Sequence, residues 1–477
     1  MQKFILALLF VSINFYSYSQ KVNIKGNALS YSGETIEIYT FSDYVVKNKT
    51  VIAKSLVDTK GNFNFNINTK QTIQIFIDLN VFKGIFFIEP GKNYEIILPQ
   101  KTLKDEEDSQ NPYFEQIEFY ISQISSDKKE LNNLIINFDT LYNKVYNNTV
   151  YYTKIKQTYD LEKMISKLEK QIPNSDNSFF NYYKKYKLIT LRSIFYNTNP
   201  TKIINENFTN KPILYSNPAY NETIDIALSK LIIETINDSA TFKNEKNDWL
   251  TLNKSVEKSA EIFADTKLRE YLILKNLYTN FYSHKENQKN IIVLLYSCLA
   301  QSSIEIHKQI AENFINKAGN LIINEQVPNF NLKNKDNQNL SLKDFSGKFI
   351  YLSFSNKSSY SAQRDVEALK ILNSKKIDRL EIVTIWVDKD FESMNNYTTE
   401  HNYEWTFLFC AENSELLSQY KIVSFPTYFI INPEGKLVMM PAPSPSEDFE
   451  PAFSQQYEIW NRNEMRKKKE SKSFIPN

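Results

Sequence analysis

The stretch from Lys348 to Leu369, KFIYLSFSNKSSYSAQRDVEAL, constrains the fold more than any other part of the chain. Phe349 to Phe354 is a run of apolar, aromatic and β-branched residues, the pattern of a buried strand. Asn356 to Ser361 is small and polar and reads as a loop. From Ala362 onward, Val366 and Leu369 recur at helical spacing behind Gln363, Arg364 and Asp365. A strand, a tight loop and a helix start in that order bring free N–H groups and a positive dipole end to one spot. Such a spot stabilises an anion, a thiolate among them.

Upstream, two composition regimes follow one another. Between residues 21 and 100 short runs alternate apolar and polar positions, as in Thr35-Ile36-Glu37-Ile38-Tyr39 and Phe63-Asn64-Phe65-Asn66-Ile67. Turn signals at Ser32-Gly33, Lys60-Gly61-Asn62 and Pro90-Gly91-Lys92 separate them, which predicts a small antiparallel β-sandwich. From residue 103 to 320 glycine almost vanishes, and Leu, Ile, Phe and Tyr recur every three or four residues, as over Phe114 to Tyr146 and Leu250 to Tyr282. That periodicity predicts a domain of amphipathic helices, with connectors at Pro200, Pro212 and Pro218 and the aromatic stripes as core. No repeat period points to a helical solenoid.

The first 20 residues read as a secretory signal peptide. Lys3 is the positive start, Phe4 to Val11 the apolar stretch, and Ser17-Tyr18-Ser19 a small-x-small cleavage signal before Gln20. The apolar stretch is well below the ~20 residues that span a bilayer, and no other segment qualifies. Lys+Arg 57 against Asp+Glu 55 leaves little net charge, which argues against a nucleic-acid partner. The run Arg466-Lys467-Lys468-Lys469 reads as a solvated tail. His284, His307 and His401 lack metal-ligand spacing, so neither a metal nor a cofactor is expected.

Toward the C-terminus the ordered motifs resemble the TlpA-like thiol-disulfide oxidoreductases, thioredoxin-fold proteins of bacterial envelopes. Val327-Pro328-Asn329-Phe330-Asn331-Leu332 is similar to that family's opening, and Leu340 to Lys348 to its next motif. Ser424-Phe425-Pro426-Thr427 is similar to its cis-proline strand, and Asn432-Pro433-Glu434-Gly435-Lys436 to the following hairpin turn. The N-terminal region, through Gly61-Asn62-Phe63-Asn64-Phe65 and Phe87-Ile88-Glu89-Pro90-Gly91, resembles the β domain that precedes many such domains. The resemblance implies a periplasmic location. The expected organisation is a signal peptide at 1–20, a β-sandwich at 21–102, a helical domain at 103–322, a thioredoxin-like α/β domain at 323–462 and a basic tail at 463–477, a multi-domain α+β chain.

The resemblance also implies where the redox pair belongs. Ser359 and Ala362 stand at the two cysteine positions, Ser355 and Ser358 at two tryptophan positions, and Asp365 at a glutamate position. Thiol exchange needs one thiolate to attack and a second to resolve, so the two-cysteine route is closed at a serine and an alanine. A hydrolytic role for Ser359 would need an adjacent base, which the loop lacks. The two cysteines, Cys298 and Cys410, read as buried small apolar residues. The leading expectation is a non-catalytic binding or scaffold protein. Ser358, Ser359, Tyr360, Phe425 and Pro426 would form its groove for an extended peptide or an envelope protein. One alternative is an oxidoreductase or peroxidase acting through Cys410. Another places the function in the β and helical domains.

Overall fold

The computed structural model describes residues 19–105, 108, 114–125, 127–157, 159–196, 198–238, 248–259, 263–283, 287–319, 321–357 and 359–473. Residues 1–18 of the expected signal peptide, His284 and Ser358 lie outside them. The described chain combines N-terminal sheets, central helices and a C-terminal thioredoxin-like α/β domain. It falls into two compact units.

In the first unit the strands are β1 (Gln20–Asn27), β2 (Thr35–Phe41), β3 (Lys49–Leu56), β4 (Asn62–Thr69), β5 (Ile73–Leu79), β6 (Phe82–Ile88), β7 (Asn93–Ile97), β8 (Ile117–Tyr120) and β9 (Ser122–Gln123). They form two sheets, ordered β4-β1-β7-β9 and β3-β2-β5-β6-β8. The strict alternation of β4 explains its placement: Phe63, Phe65 and Ile67 point inward while Asn62, Asn64 and Asn66 face water. Both sheets feed one core, with Val22 and Ile24 of β1 packed in the same cluster as Ile38, Ile77 and Phe86. Most pairings are antiparallel, but β1 pairs with β7 and β6 with β8 in parallel.

The helical reading from residue 103 differs at β8 and β9. Ile117-Glu118-Phe119-Tyr120-Ile121 alternates with period two: Ile121 is buried and Phe119 packs against the sandwich core. Each of the two short strands adds to one sheet, and the run of helices that follows them starts at Leu131. They are α1 (Leu131–Lys154), α2 (Leu161–Gln171), α3 (Ser178–Phe195), α4 (Pro200–Asn207), α5 (Pro218–Thr223) and α6 (Ser229–Asp238) in the first unit, then α7 (Trp249–Ser259) and α8 (Thr266–Ser283), which each contribute residues to both units. Side chains that accept from first-turn N–H groups start many of them: Glu130, Asp160, Asn177, Asn199 and Asn217. Asn132 of α1 clasps β6 by accepting from the Phe87 N–H at 2.8 Å and donating to the Phe87 carbonyl at 2.9 Å. Behind it, Asp139 accepts from Tyr183 Oη at 2.7 Å and from Tyr120 Oη, while its Oδ1 is buried with no partner among the described residues.

In the second unit, α9 (Gln288–Gln301) and α10 (Glu305–Ala318) precede the strands β10 (Asn331–Lys333), β11 (Asn339–Ser341), β12 (Phe349–Ser355), β13 (Leu380–Asp388), β14 (Thr406–Ala411), β15 (Thr427–Ile431) and β16 (Leu437–Met439). Three helices, α11 (Tyr360–Ser374), α12 (Phe391–Glu400) and α13 (Glu415–Gln419), alternate with β12 to β15, and α14 (Phe449–Ser473) follows β16. The sheet runs β14-β13-β12-β15-β16, with β12, β13 and β14 parallel and β15 and β16 antiparallel to their neighbours. Every residue of β12 is buried. Ile350, Leu352 and Phe354 enter one core with Tyr420 and Phe429; Phe349 and Tyr351 enter the other with Val366 and Leu369. That is the expected signature of a strand covered on both faces.

Asn432 builds the expected turn after β15, its Oδ1 accepting from the N–H groups of Glu434 and Lys436 at 3.0 and 2.9 Å. Gly435 closes it at φ +78°, where a Cβ would stand 2.9 Å from Gln326 Oε1. The segment before β10 is tied down as well. Lys421 Nζ donates to the Lys317 carbonyl at 2.6 Å and to that of Ala318, at the C-terminal end of α10. The expected basic tail continues α14 as helix to Ser473, because residues 462–473 contain neither Gly nor Pro to stop it.

Candidate functional site

The site lies where β12 and β13 end and β15 begins. Parallel β12 and β13 deliver their C-terminal ends to the same edge, with Ser355 paired against Trp386. Antiparallel β15 starts there, with Thr427 opposite Phe354. Two sequence-distant segments, Asn356 to Tyr360 and Ser424 to Thr427, therefore meet.

Ser359 joins them. Its backbone is extended, and its Oγ caps α11 by accepting from the Ala362 N–H at 3.3 Å. The same Oγ lies 3.0 Å from the Phe425 carbonyl oxygen and 2.8 Å from Ser361 Oγ. A carbonyl only accepts, so the Ser359 proton goes to Phe425 and the Ser361 hydroxyl donates to Ser359. The hydroxyl thus faces a carbonyl, a second hydroxyl and an amide, none of which is a base. Ala362, at the second position of interest, is fully buried in the first turn of α11.

The Phe425–Pro426 peptide is cis. Phe425 is half-buried against the core that holds Phe354 and Tyr420. Thr427 Oγ1 donates back to the Ser424 carbonyl at 2.7 Å, closing the turn. The Phe425 N–H has no hydrogen-bond partner among the described residues. Two large apolar side chains close to it in the chain or across the Ser359 link lie open to water: Tyr360 is 80% exposed and Val423 87%. Of the five residues expected to line a groove, Ser359, Tyr360, Phe425 and Pro426 come together here, and Ser358 is not described.

Two buried carboxylates flank the loop. Asp365 accepts from Tyr428 Oη at 2.9 Å and Ser446 Oγ at 3.3 Å, and pairs with Arg364 at 3.1 Å. This seats the first turn of α11 on β15. Burial, and then the charge of Asp365, push the Tyr428 phenol far above its ordinary value. Asp388, at the end of β13, accepts from Ser393 Oγ and the Lys389 N–H, both at 2.8 Å, and lies 3.6 Å from Lys357 Nζ. Burial works to raise its pKa. The hydrogen bonds from Ser393 and Lys389, the Lys357 charge and the Trp386 indole outweigh that and hold it below the usual carboxylate range. Lys357 in turn donates to Ser393 Oγ at 2.7 Å, fixing the loop to α12. Sequence reading did not single out Lys357, Asp388 or Val423: no motif marks them, and only the β12–β13 register brings Lys357 to Asp388.

Cys410 sits elsewhere on the sheet. It pairs with Val387 on β14, an edge strand, but its side chain points into the core and is 1% exposed. Burial pushes its thiol up, against a weaker opposing contact from Ser414. Cys298 is buried in α9, and neither cysteine forms a disulfide. Among the described residues, no three His, Cys, Asp or Glu side chains gather as a metal site, and no helix is long and apolar enough to cross a membrane.

Residues 323–440 match the model of the AhpC/TSA family. The thiol-disulfide oxidoreductase ResA of Bacillus thuringiensis is 22% identical over 149 residues, 31% of this chain and 83% of that one. ResA of Bacillus cereus is 21% identical over 128 residues, 27% of this chain and 73% of that one. Among solved structures, a thiol-disulfide oxidoreductase from Bacteroides fragilis is 23% identical with a TM-score of 0.23, covering 25% of this chain and 92% of that one. The thioredoxin domain of a thiol-disulfide oxidoreductase from Bacteroides vulgatus is 24% identical with a TM-score of 0.23, covering 25% and 88%.

Proposed function

We propose that the TlpA-like thioredoxin-fold domain at the C-terminus binds an extended segment of a partner protein without redox chemistry. The observation that carries the reading is the cis Phe425–Pro426 turn. It offers an unpaired backbone N–H, flanked by the exposed side chains of Tyr360 and Val423. An extended chain pairs its backbone with such a group and lays side chains on the apolar flanks. Ser359 and Ala362 at the redox positions supply no sulfur, and the Ser359 proton is already committed to Phe425. The burial and raised pKa of Cys410 weigh against a displaced thiol nucleophile. Export to the periplasm on residues 1–20 belongs to the same reading. It is supported by β1 beginning at Gln20, directly after the small-x-small signal Ser17-Tyr18-Ser19.

The test is disulfide turnover by the purified chain, run beside Cys410→Ser and a Ser359→Cys/Ala362→Cys double variant. The native chain is expected to be inactive and the double variant active. Activity of the native chain that Cys410→Ser abolishes would overturn the reading. Binding is tested separately with a panel of extended apolar peptides: Tyr360→Ala and Val423→Ser are expected to weaken the best binder, and unchanged affinity in both would remove the groove. Fractionation, with sequencing of the mature N-terminus near Gln20, tests export.

A further inference from the structure

The first unit holds a cleft of about 720 Å³ between α2, α3 and α4 that the reading above does not use. This volume lies within the range of small-molecule sites, roughly 300–1,000 Å³. Its floor is apolar, from Leu188, Ile189 and Ile203, and cations stand along its wall. Arg192 is matched by Glu162 through Nε at 2.9 Å and Nη2 at 3.0 Å, and Lys202 has Glu206 at 3.8 Å. Among the described residues, Lys184 and Lys185 form no ion pair with a carboxylate.

Lys184 is buried, and among the described residues the one acceptor for its ammonium is the Ile172 carbonyl at 3.0 Å, which closes the end of α2. Two of its three protons remain unspent. Glu169, also on the wall, acts on Lys184 through space but forms no ion pair with it. Lys185 lies over the Tyr186 ring at 5.4 Å, and the charge of Lys211 adds to its own. Burial lowers the pKa of both lysines. Glu169 offsets part of the cost of desolvating Lys184, and a bound anion would offset the remainder at both lysines.

We propose that this cleft binds a small amphipathic carboxylate, its apolar body on Leu188, Ile189 and Ile203 and its carboxylate taken by Lys184 and Lys185. Nothing in this assignment depends on the thioredoxin-fold domain. The probe is phenylbutyrate, titrated calorimetrically into the full chain beside its neutral amide, phenylbutyramide. One binding site is expected, with the amide weaker by roughly 10-fold or more. Lys185→Met should weaken phenylbutyrate by about the same factor, and Lys184→Met/Lys185→Met should abolish binding, with the circular dichroism spectrum unchanged. If the double variant does not fold, Lys185→Met and the amide comparison decide. Equal affinity for acid and amide, unchanged affinity in Lys185→Met, or no binding up to about 10 mM would overturn the proposal.

Discussion

Ser359 Oγ lies 3.0 Å from the carbonyl oxygen of Phe425, so one hydroxyl both caps a helix and ties down the turn before Pro426. The two residues are 66 positions apart in the chain. Their contact depends on β12 and β15 pairing in the observed register, with Phe354 opposite Thr427.

Replacing Ser359 by Ala removes the cap and the link together. Loss of a helix N-cap costs about 1 kcal/mol, within a range of roughly 0.5–2. Chemical denaturation should show a destabilisation of this size. A variant as stable as the parent would show that neither bond matters to the fold.

Asp388→Asn should destabilise the chain at neutral pH by ~1–3 kcal/mol, because it removes a buried charged acceptor of several hydrogen bonds. The pKa of Asp388 is held below 3.8 in the folded chain. Its contribution is therefore fully present above 3.8 and is lost as the pH falls through the lower folded value. The stability gap between parent and variant should close in that acid window. Urea melts at a series of pH values check it, and a gap independent of pH would refute the assignment.

Asp139 predicts the opposite slope. Burial raises its pKa above 3.8, against the bonds from Tyr120 and Tyr183 and the charge of Lys187. The folded state thus prefers the protonated carboxyl. Relative to Asp139→Asn, the parent should be most stable below 3.8 and lose ground as the pH rises through the raised folded value. The same melts, read on this pair, give the sign directly.

Cys298 and Cys410 are both buried. Dithionitrobenzoate should find almost no reactive thiol in the native chain and both cysteines in denaturant. Prompt labelling of one native thiol, lost in Cys410→Ser, would show that Cys410 is accessible after all.

The elements of the thioredoxin-like domain were legible because each is local. Phe349 to Phe354 announces a doubly covered strand, and Val366 and Leu369 mark one face of a helix. The strands at Ile117–Tyr120 and Ser122–Gln123 were not, because their short alternation is followed directly by the helical period that continues to Tyr146. The site was only half visible. Ser359 and Pro426 could be named from motif order, whereas the bond between Ser359 and Phe425 and the ion pair of Lys357 with Asp388 depend on strand register. Register across the sheet is set by the whole hydrophobic pattern, and no single motif reports it.

The ammonium of Lys421, seated on the last carbonyls of α10, bears on how this chain can be cut. Leu321 belongs to the core around β12, the Ile323 N–H donates to Gln288 Oε1 at 3.3 Å, and Glu325 pairs with Lys289 at 2.7 Å. Severing the chain at residue 327 strands that ammonium over no acceptor and opens one core. A fragment beginning before α9 keeps all of these contacts. Dissection ahead of α9 therefore preserves the Lys421 seat and the core around β12, whereas dissection at residue 327 breaks both.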